Sequence, residues 1–298
     1  MFASNPTKLP FDRKGRSAGR RKARHAVRME QERDYVLGTD NGEIDRLGLQ
    51  HRVWRPRMLD ACRRAGIGPG QTVLDIGAGP GFAAIDIAEI VGRQGRVVAV
   101  ERSRRFLDAL ADRAQRLGLE NLRLVEADVA EGGFGKAIAD GAWCRWLLSF
   151  VTDPAQTVSH IAAALRAGGT AVFHEYADYA SWRTMPPSPE VERFVSLAMQ
   201  SWRDAGGEPD IALQLPTWLK AAGLEIVSAQ PLVEIVGRED FVWQWPAAFM
   251  ASGARRLGDL GYIDAQEAER LAGALDEIPQ GTRMITPLVA EIIARKKG

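Results

Sequence analysis

The chain has 298 residues, 46% of them hydrophobic and 26% charged, with a formal net charge of +1. That is the composition of a globular protein with room for one large domain or two small ones, which excludes wholesale disorder, and no apolar run approaches the roughly 18–20 residues needed to span a bilayer. Two cysteines, Cys62 and Cys144, cannot staple such a length, and no Cys/His spacing suggests zinc, so a reducing, cytoplasmic setting without a metal is expected.

The near-neutral total hides an asymmetry. Residues 1–28 hold nine Lys and Arg against a single acid, Asp12, for +8, leaving −7 on residues 29–298. So basic and apolar-poor a tail cannot bury enough surface to offset the entropy of ordering, and it is expected to be disordered. It reads as a solvated extension before Met29, as an arm for nucleic acid or an anionic membrane, or as a targeting segment; composition leaves the three open.

Residues 29–298 read as the folded domain. Residues 30–68 suggest helices leading into a first strand at 71–76. A helix is expected over 82–91, a strand over 96–100, a helix over 103–117 and a strand over 122–126. A fourth strand at 142–148 precedes a helix over 155–166, started by Asp153-Pro154 and stopped by Ala167-Gly168-Gly169. A fifth strand covers 170–176, and a sixth covers 224–228 with a further extended piece at 232–236; residues 288–295 fit a seventh strand or a terminal helix. The alternation predicts an α/β fold: a doubly wound, mostly parallel sheet of seven strands with helices on both faces. Two longer stretches, 177–213 and 237–283, exceed the alternating unit and read as cap insertions over a substrate site. They carry Tyr179, Trp182 and Trp202, then Phe241, Trp243, Trp245, Phe249 and Tyr262. The alternating Phe-Val-Trp-Gln-Trp-Pro at 241–246 could line an apolar pocket or simply pack the cap.

The sharpest motif is Val73-Leu74-Asp75-Ile76-Gly77-Ala78-Gly79-Pro80-Gly81, between a strand and a helix. Such a loop lets a ligand approach the backbone closely, beside the free N–H groups of a helix start. A nicotinamide-dinucleotide fingerprint needs a third small residue at position 82, where Phe82 stands. Asp75 is badly placed for a pyrophosphate but suits a ligand carrying a cationic amino group.

The segment resembles motif I of class I S-adenosylmethionine-dependent methyltransferases, an acid and an apolar residue followed by Gly-x-Gly-x-Gly. Further landmarks match in order over 35–176. Glu101 ends the second strand where the family places an acid on the ribose hydroxyls. Asp128, after the third, matches the adenine-contacting position, though a helix N-cap is its plainer use. Cys144-Arg145-Trp146-Leu147-Leu148 resembles the fourth-strand motif of the subgroup containing ubiquinone/menaquinone-type and many small-molecule methyltransferases. There a His commonly follows the Leu, and here Ser149 and Phe150 follow. The resemblance implies the Rossmann-like methyltransferase fold, S-adenosylmethionine as cofactor, and a cofactor set of Asp75, Gly77, Gly79, Gly81, Glu101, Asp128, Arg145 and Gln50. Arg46 and His51 accompany Gln50 on a helix that in this subgroup folds over the cofactor.

The expected function is methyl transfer by direct displacement to a small, apolar or aromatic acceptor. Groups acting on that acceptor should lie beyond the carboxyl ends of strands four and five. His174 and Tyr176 share one strand face there and are the candidate catalytic residues; burial with satisfied hydrogen bonds is the alternative for both. One competing reading is a nucleic-acid (RNA) methyltransferase using the basic tail. Against it stand the acidic remainder, the absence of an Asn/Asp-Pro-Pro-aromatic motif after the fourth strand, and Cys144 lying in a strand rather than a Pro-Cys setting. The other is a non-catalytic cofactor-binding protein. Oligomeric state is left open.

Overall fold

The computed structural model describes residues 38–132 and 134–298; the basic tail lies outside the described residues. Helix α1 (Asn41–Arg64) opens the described chain, capped by Asp40, whose carboxylate accepts the Glu43 N–H at 3.0 Å. One helix of 24 residues thus runs, through Pro56, across most of the stretch where several were expected. Then come β1 (Thr72–Ile76), α2 (Phe82–Val91), β2 (Arg96–Glu101), α3 (Arg104–Leu117) and β3 (Leu122–Glu126), each end within one residue of expectation. Local signals suffice for these: β-branched runs for the strands, and an N-cap such as Ser103, whose hydroxyl accepts the Phe106 N–H.

The next elements differ from the sequence reading. Strand β4 is Ala139–Arg145 rather than 142–148. It stops at Arg145 because Trp146 turns into the left-handed region at φ 50°, and the Leu147 and Leu148 N–H groups go to the Glu175 carboxylate at 2.9 and 3.0 Å. Helix α4 (Pro154–Ala164) starts as expected, on the Asp153 carboxylate, but ends before the glycines. Strand β5 (Leu165–Asp178) follows at once, with Ala139 opposite Leu165 and Gly141 already opposite Thr170. Residues 166–169, with Gly168 at φ 78°, therefore bulge from a strand instead of ending a helix.

The sixth strand, β7 (Leu224–Leu232), is longer than expected. The chain's end is a strand, β10 (Leu288–Lys296), antiparallel to β5 on one side and to β7 on the other. Backbone pairing on both edges decides between strand and helix here, which a short periodic run could not. The sheet order is β3-β2-β1-β4-β5-β10-β7. Alternate side chains face two layers: Val73, Val97, Trp143 and Val172 meet Met58, Ala84 and Ile87 of α1 and α2. Leu74, Val98, Cys144 and Phe173 meet Val158 of α4 and Leu219 of α6 (Leu215–Ala221). This is the doubly wound arrangement.

The stretch 177–213 supplies β6 (Arg183–Met185) and α5 (Pro189–Asp204); 237–283 supplies α7 (Gln244–Asp259) and α8 (Ala265–Glu277). These three helices touch one another, and α7 also touches α1. Strands β6, β8 (Ile235–Val236) and β9 (Arg283–Ile285) pair in a small antiparallel sheet; β8 falls in the extended piece expected at 232–236, while β6 and β9 were not expected as strands. Among the described residues no helix is long and apolar enough to cross a membrane.

Candidate cofactor and acceptor site

The site starts where β1 runs into the glycine loop. Gly77 and Gly81 have φ 69° and 79°, and a Cβ at either would overlap the Leu147 or Leu110 side chain. Gly79, at φ 55°, has open space where its Cβ would be. Two glycines therefore serve packing, and the middle one leaves the backbone approachable. The Gly77 and Ala78 N–H groups both donate to the Val100 carbonyl at 3.0 Å, tying the loop to β2. Glu101 completes the tie: Oε2 accepts the Gly79 N–H at 2.9 Å and Oε1 the Ser103 N–H at 2.8 Å. Burial raises the Glu101 pKa, and those donors oppose the rise. Phe82 stacks on His51 at 5.8 Å and lies 3.9 Å under the Arg113 guanidinium, which also donates to the Pro80 carbonyl. The place where a dinucleotide fingerprint needs a small residue is filled.

Beside the loop lies a buried row of charge. Asp75 is 2% exposed; its carboxylate accepts the Ala84 N–H, yet Oδ2 has no hydrogen-bond partner among the described residues. Desolvation pushes its pKa up to about 7, with Arg145 pulling the other way. Arg145, on the adjacent strand β4, donates from Nη2 to His51 Nδ1 at 3.2 Å, while Nη1 is unpartnered among the described residues. Burial lowers its pKa to about 10. With Nδ1 accepting, the His51 proton sits on Nε2 and is donated to Asp86 at 3.0 Å, which Arg55 also holds at 2.8 Å. Burial accordingly depresses the His51 pKa.

Gln50 stands one residue away, its Oε1 accepting from Arg46 Nη1 at 2.9 Å, and Arg46 is gripped twice by Glu43 at 2.7 Å. Asp128 follows β3 in a turn, where Oδ1 accepts the Ala130 N–H at 2.9 Å. No helix begins there, so the N-cap alternative falls away.

His174 and Tyr176 point to the same face of β5 and Glu175 to the other, as strand alternation requires. Their surroundings differ. His174 is fully buried, its Nε2 2.9 Å from Glu291 of β10, with the rings of Trp143 and Trp54 at 4.8 and 5.8 Å. Arg64 and Gln230 also bind Glu291. Burial pushes the Glu291 pKa upward, but the bonds from His174 and Arg64 hold it below its ordinary value. Burial likewise lowers the His174 pKa.

Tyr176 instead enters an aromatic cluster, stacked on Trp146 at 5.6 Å and edge-on to Tyr179 at 4.8 Å. Trp146 in turn stacks on Trp245 at 5.6 Å, and Trp54 of α1 meets both rings edge-on at 4.9 Å. Trp202 and Phe249 from the caps continue the cluster. Residues 241–246 do not form the alternating wall that their pattern suggested: they coil into a turn and the start of α7, Phe241 points outward and is 48% exposed, and Trp245 joins the cluster. Tyr262 donates to Asp204 in an exposed bond. The sequence reading passed over Trp54, Trp146 and Glu291 as site residues. Trp146 stood inside the misplaced fourth strand, and the other two reach the site only through long-range packing. Cys144 is buried against Glu175, and burial raises its pKa, which leaves a thiol rather than a nucleophilic thiolate.

With this geometry in view, the comparisons with known proteins are specific for the sheet and its loop. Residues 73–169 match the family model described as a methyltransferase domain. The ubiquinone/menaquinone biosynthesis C-methyltransferase of Vibrio campbellii is 29% identical over 131 residues, 44% of this chain and 49% of the relative. The chain thus spans about half the length of that curated relative. A solved structure of geranyl diphosphate C-methyltransferase from Streptomyces coelicolor A3(2), in complex with Mg2+, geranyl diphosphate and S-adenosyl-L-homocysteine, superposes with a TM-score of 0.52. It is 16% identical and covers 83% of this chain and 80% of its own. The [4+2]-cyclase SpnF reaches 0.53 at 19% identity, over 81% of each chain. At these identities the structural likeness concerns the fold alone. Loop, sheet order and family match agree: residues 73–169 match a methyltransferase domain, and the seven-stranded sheet is the Rossmann-like fold of class I S-adenosylmethionine-dependent methyltransferases.

Proposed function

We propose that the chain binds S-adenosylmethionine beside the glycine loop and transfers its methyl group, by direct displacement, to a small apolar or aromatic acceptor held at the Trp54–Trp146–Tyr176–Trp245 cluster. The observation that carries the reading is a buried carboxylate oxygen, Asp75 Oδ2, and a buried guanidinium nitrogen, Arg145 Nη1, on adjacent strands and both unpartnered among the described residues. Burying such groups unpaired is costly, and the zwitterionic end of an amino acid would satisfy both. Bound there, the cofactor supplies a methyl carbon activated by its sulfonium.

The chain's own residues bind, orient and exclude water. Asp75 holds the ammonium and Arg145 the carboxylate, the latter aimed by His51 and Asp86. Glu101 offers its remaining acceptor capacity to ribose hydroxyls while fixing the loop. Asp128 accepts from the adenine amine, Gln50 lies over the cofactor from α1, and Gly79 leaves the backbone open. The aromatic cluster excludes water and orients the acceptor, which is what a displacement needs. Tyr176 faces the acceptor; burial raises its pKa, so its hydroxyl stays protonated and orients by hydrogen bonding. His174, committed to Glu291 and covered by two tryptophans, is a positioning group. A quinone ring, the acceptor class named for a relative, belongs among the molecules tested.

Calorimetry with S-adenosylmethionine, S-adenosylhomocysteine and NAD tests the reading. The first two bind; tight NAD binding without S-adenosylhomocysteine binding would overturn it. Asp75→Ala and Glu101→Ala should each weaken S-adenosylhomocysteine at least tenfold, about 1.4 kcal/mol. A methyl-turnover screen over quinones, phenols, amines and acids then identifies the acceptor, and it is needed because a neighbour with this fold is a cyclase.

A further inference from the structure

The aromatic cluster is not uniformly apolar. Trp54 is 2% exposed, yet its indole Nε1 has no hydrogen-bond partner among the described residues, and the same is true of the buried Nε1 of Trp146. The two rings that carry these N–H groups meet edge to face at 4.9 Å. Trp146 carries a second mark. Its backbone sits at φ 50°, a conformation that costs an aromatic residue of order 1 kcal/mol or more. The surroundings enforce it: its N–H is bound to the His174 carbonyl at 2.9 Å, Glu175 grips the next two N–H groups, and its ring lies nearly parallel to both Tyr176 and Trp245. A fold that holds a strained tryptophan with its indole N–H unspent, in ring contact with a second tryptophan whose N–H is also unspent, is arranged to offer donors. Indole N–H donates and never accepts.

We infer that Trp54 and Trp146 form an oxygen-recognition subsite, their indole N–H groups donating to a carbonyl or phenolate oxygen carried by a flat, conjugated acceptor bound at the aromatic cluster. This rests on reading the cluster as the acceptor site and narrows the acceptor from apolar or aromatic molecules in general to those bearing an accepting oxygen. A pocket with donors aimed at a substrate oxygen rejects the analogue lacking it, because the donors are then left unpaired in an apolar surround.

The test uses two probes of one shape, 2-acetylnaphthalene and 2-isopropenylnaphthalene, which differ by a carbonyl oxygen against a methylene. Each is titrated calorimetrically into the full chain and into the Trp54→Phe, Trp146→Phe and double variants, which keep a ring and remove the donor. The parent should bind the ketone about tenfold more tightly than the alkene. Each single variant should reduce that preference to about threefold, and the double variant should abolish it. Thermal melting and S-adenosylhomocysteine titration of the same samples report folding and the cofactor site separately. A parent that fails to prefer the ketone while binding S-adenosylhomocysteine overturns the oxygen subsite and leaves the methyltransferase reading standing. Full preference retained in the folded double variant would show that another donor, such as the Tyr176 hydroxyl, recognises the oxygen, and overturns it as well.

Discussion

Asp75 shows how one position in the sequence can be read for chemistry but not for its energetics. An acid two residues before the first glycine points to a cationic ligand group; only the fold reveals that the carboxylate is 2% exposed with its pKa pushed up to about 7. Between its ordinary value near 3.8 and that folded value, the native chain keeps a proton that the unfolded chain has released. Stability attributable to this group is therefore present at low pH and is lost as pH rises through that window. Asp75→Asn removes the effect, so its stability relative to the parent should be greater at pH 8 than at pH 5, by up to roughly 3 kcal/mol in denaturant titrations. S-adenosylhomocysteine affinity gives the complementary readout. An ammonium pairs with ionised Asp75, so affinity should climb between pH 6 and 8 in the parent and stay flat in Asp75→Asn. A flat parent profile would count against the pairing.

Among the elements, the strand–loop–helix unit of β1 and α2 is held by local geometry, whereas α1 and β10 are held by contacts far apart in sequence. Gly81 caps α2 in the left-handed region against Leu110 of α3. Gly81→Ala adds strain of about 1–3 kcal/mol before any repacking, so Tm should fall by about 5 °C or more. Glu291 is 1% exposed and binds His174 of β5, Arg64 of α1 and Gln230 of β7. It thus joins the terminal strand to both its neighbours and to the helix above. Glu291→Ala leaves the buried His174 imidazole without its carboxylate, while Arg64, a quarter exposed, keeps Asp60; it should cost about 1–3 kcal/mol by chemical denaturation, more than an ordinary surface substitution. Boundaries were legible where caps and β-branched runs define them, as in α3 and β2. They slipped at β4 and α4, because the chain turns at Trp146 to bring the Leu147 and Leu148 N–H groups to Glu175, 28 and 27 residues away, and because the 166–169 bulge answers to strand register rather than to helix capping.

At the scale of the whole molecule, the charge division between residues 1–28 and the rest bears on which acceptor the chain serves. Removing residues 1–28 should leave S-adenosylhomocysteine affinity and methyl turnover on a small acceptor within about twofold of the full chain, well under 1 kcal/mol. Activity confined to an RNA substrate and lost with the tail would instead favour the nucleic-acid reading. The two cap stretches were legible as departures from the alternating pattern, and their helices do come together. The short strands β6 and β9 that they add to β8 were not, since strands of three residues carry too little periodicity to register.

The sequence by itself determined the parallel sheet, the glycine loop with its acid, and hence the class of cofactor, since these depend on neighbours within a few positions of one another. Which polar atoms stay unpartnered, how His51, Asp86 and Arg145 link, and how Trp54, Trp146 and Trp245 meet were decided only by tertiary structure. Those residues come from two helices, a strand end and a cap, in steps from 35 positions between His51 and Asp86 to about a hundred between the tryptophans, and nothing local encodes a contact made across such distances.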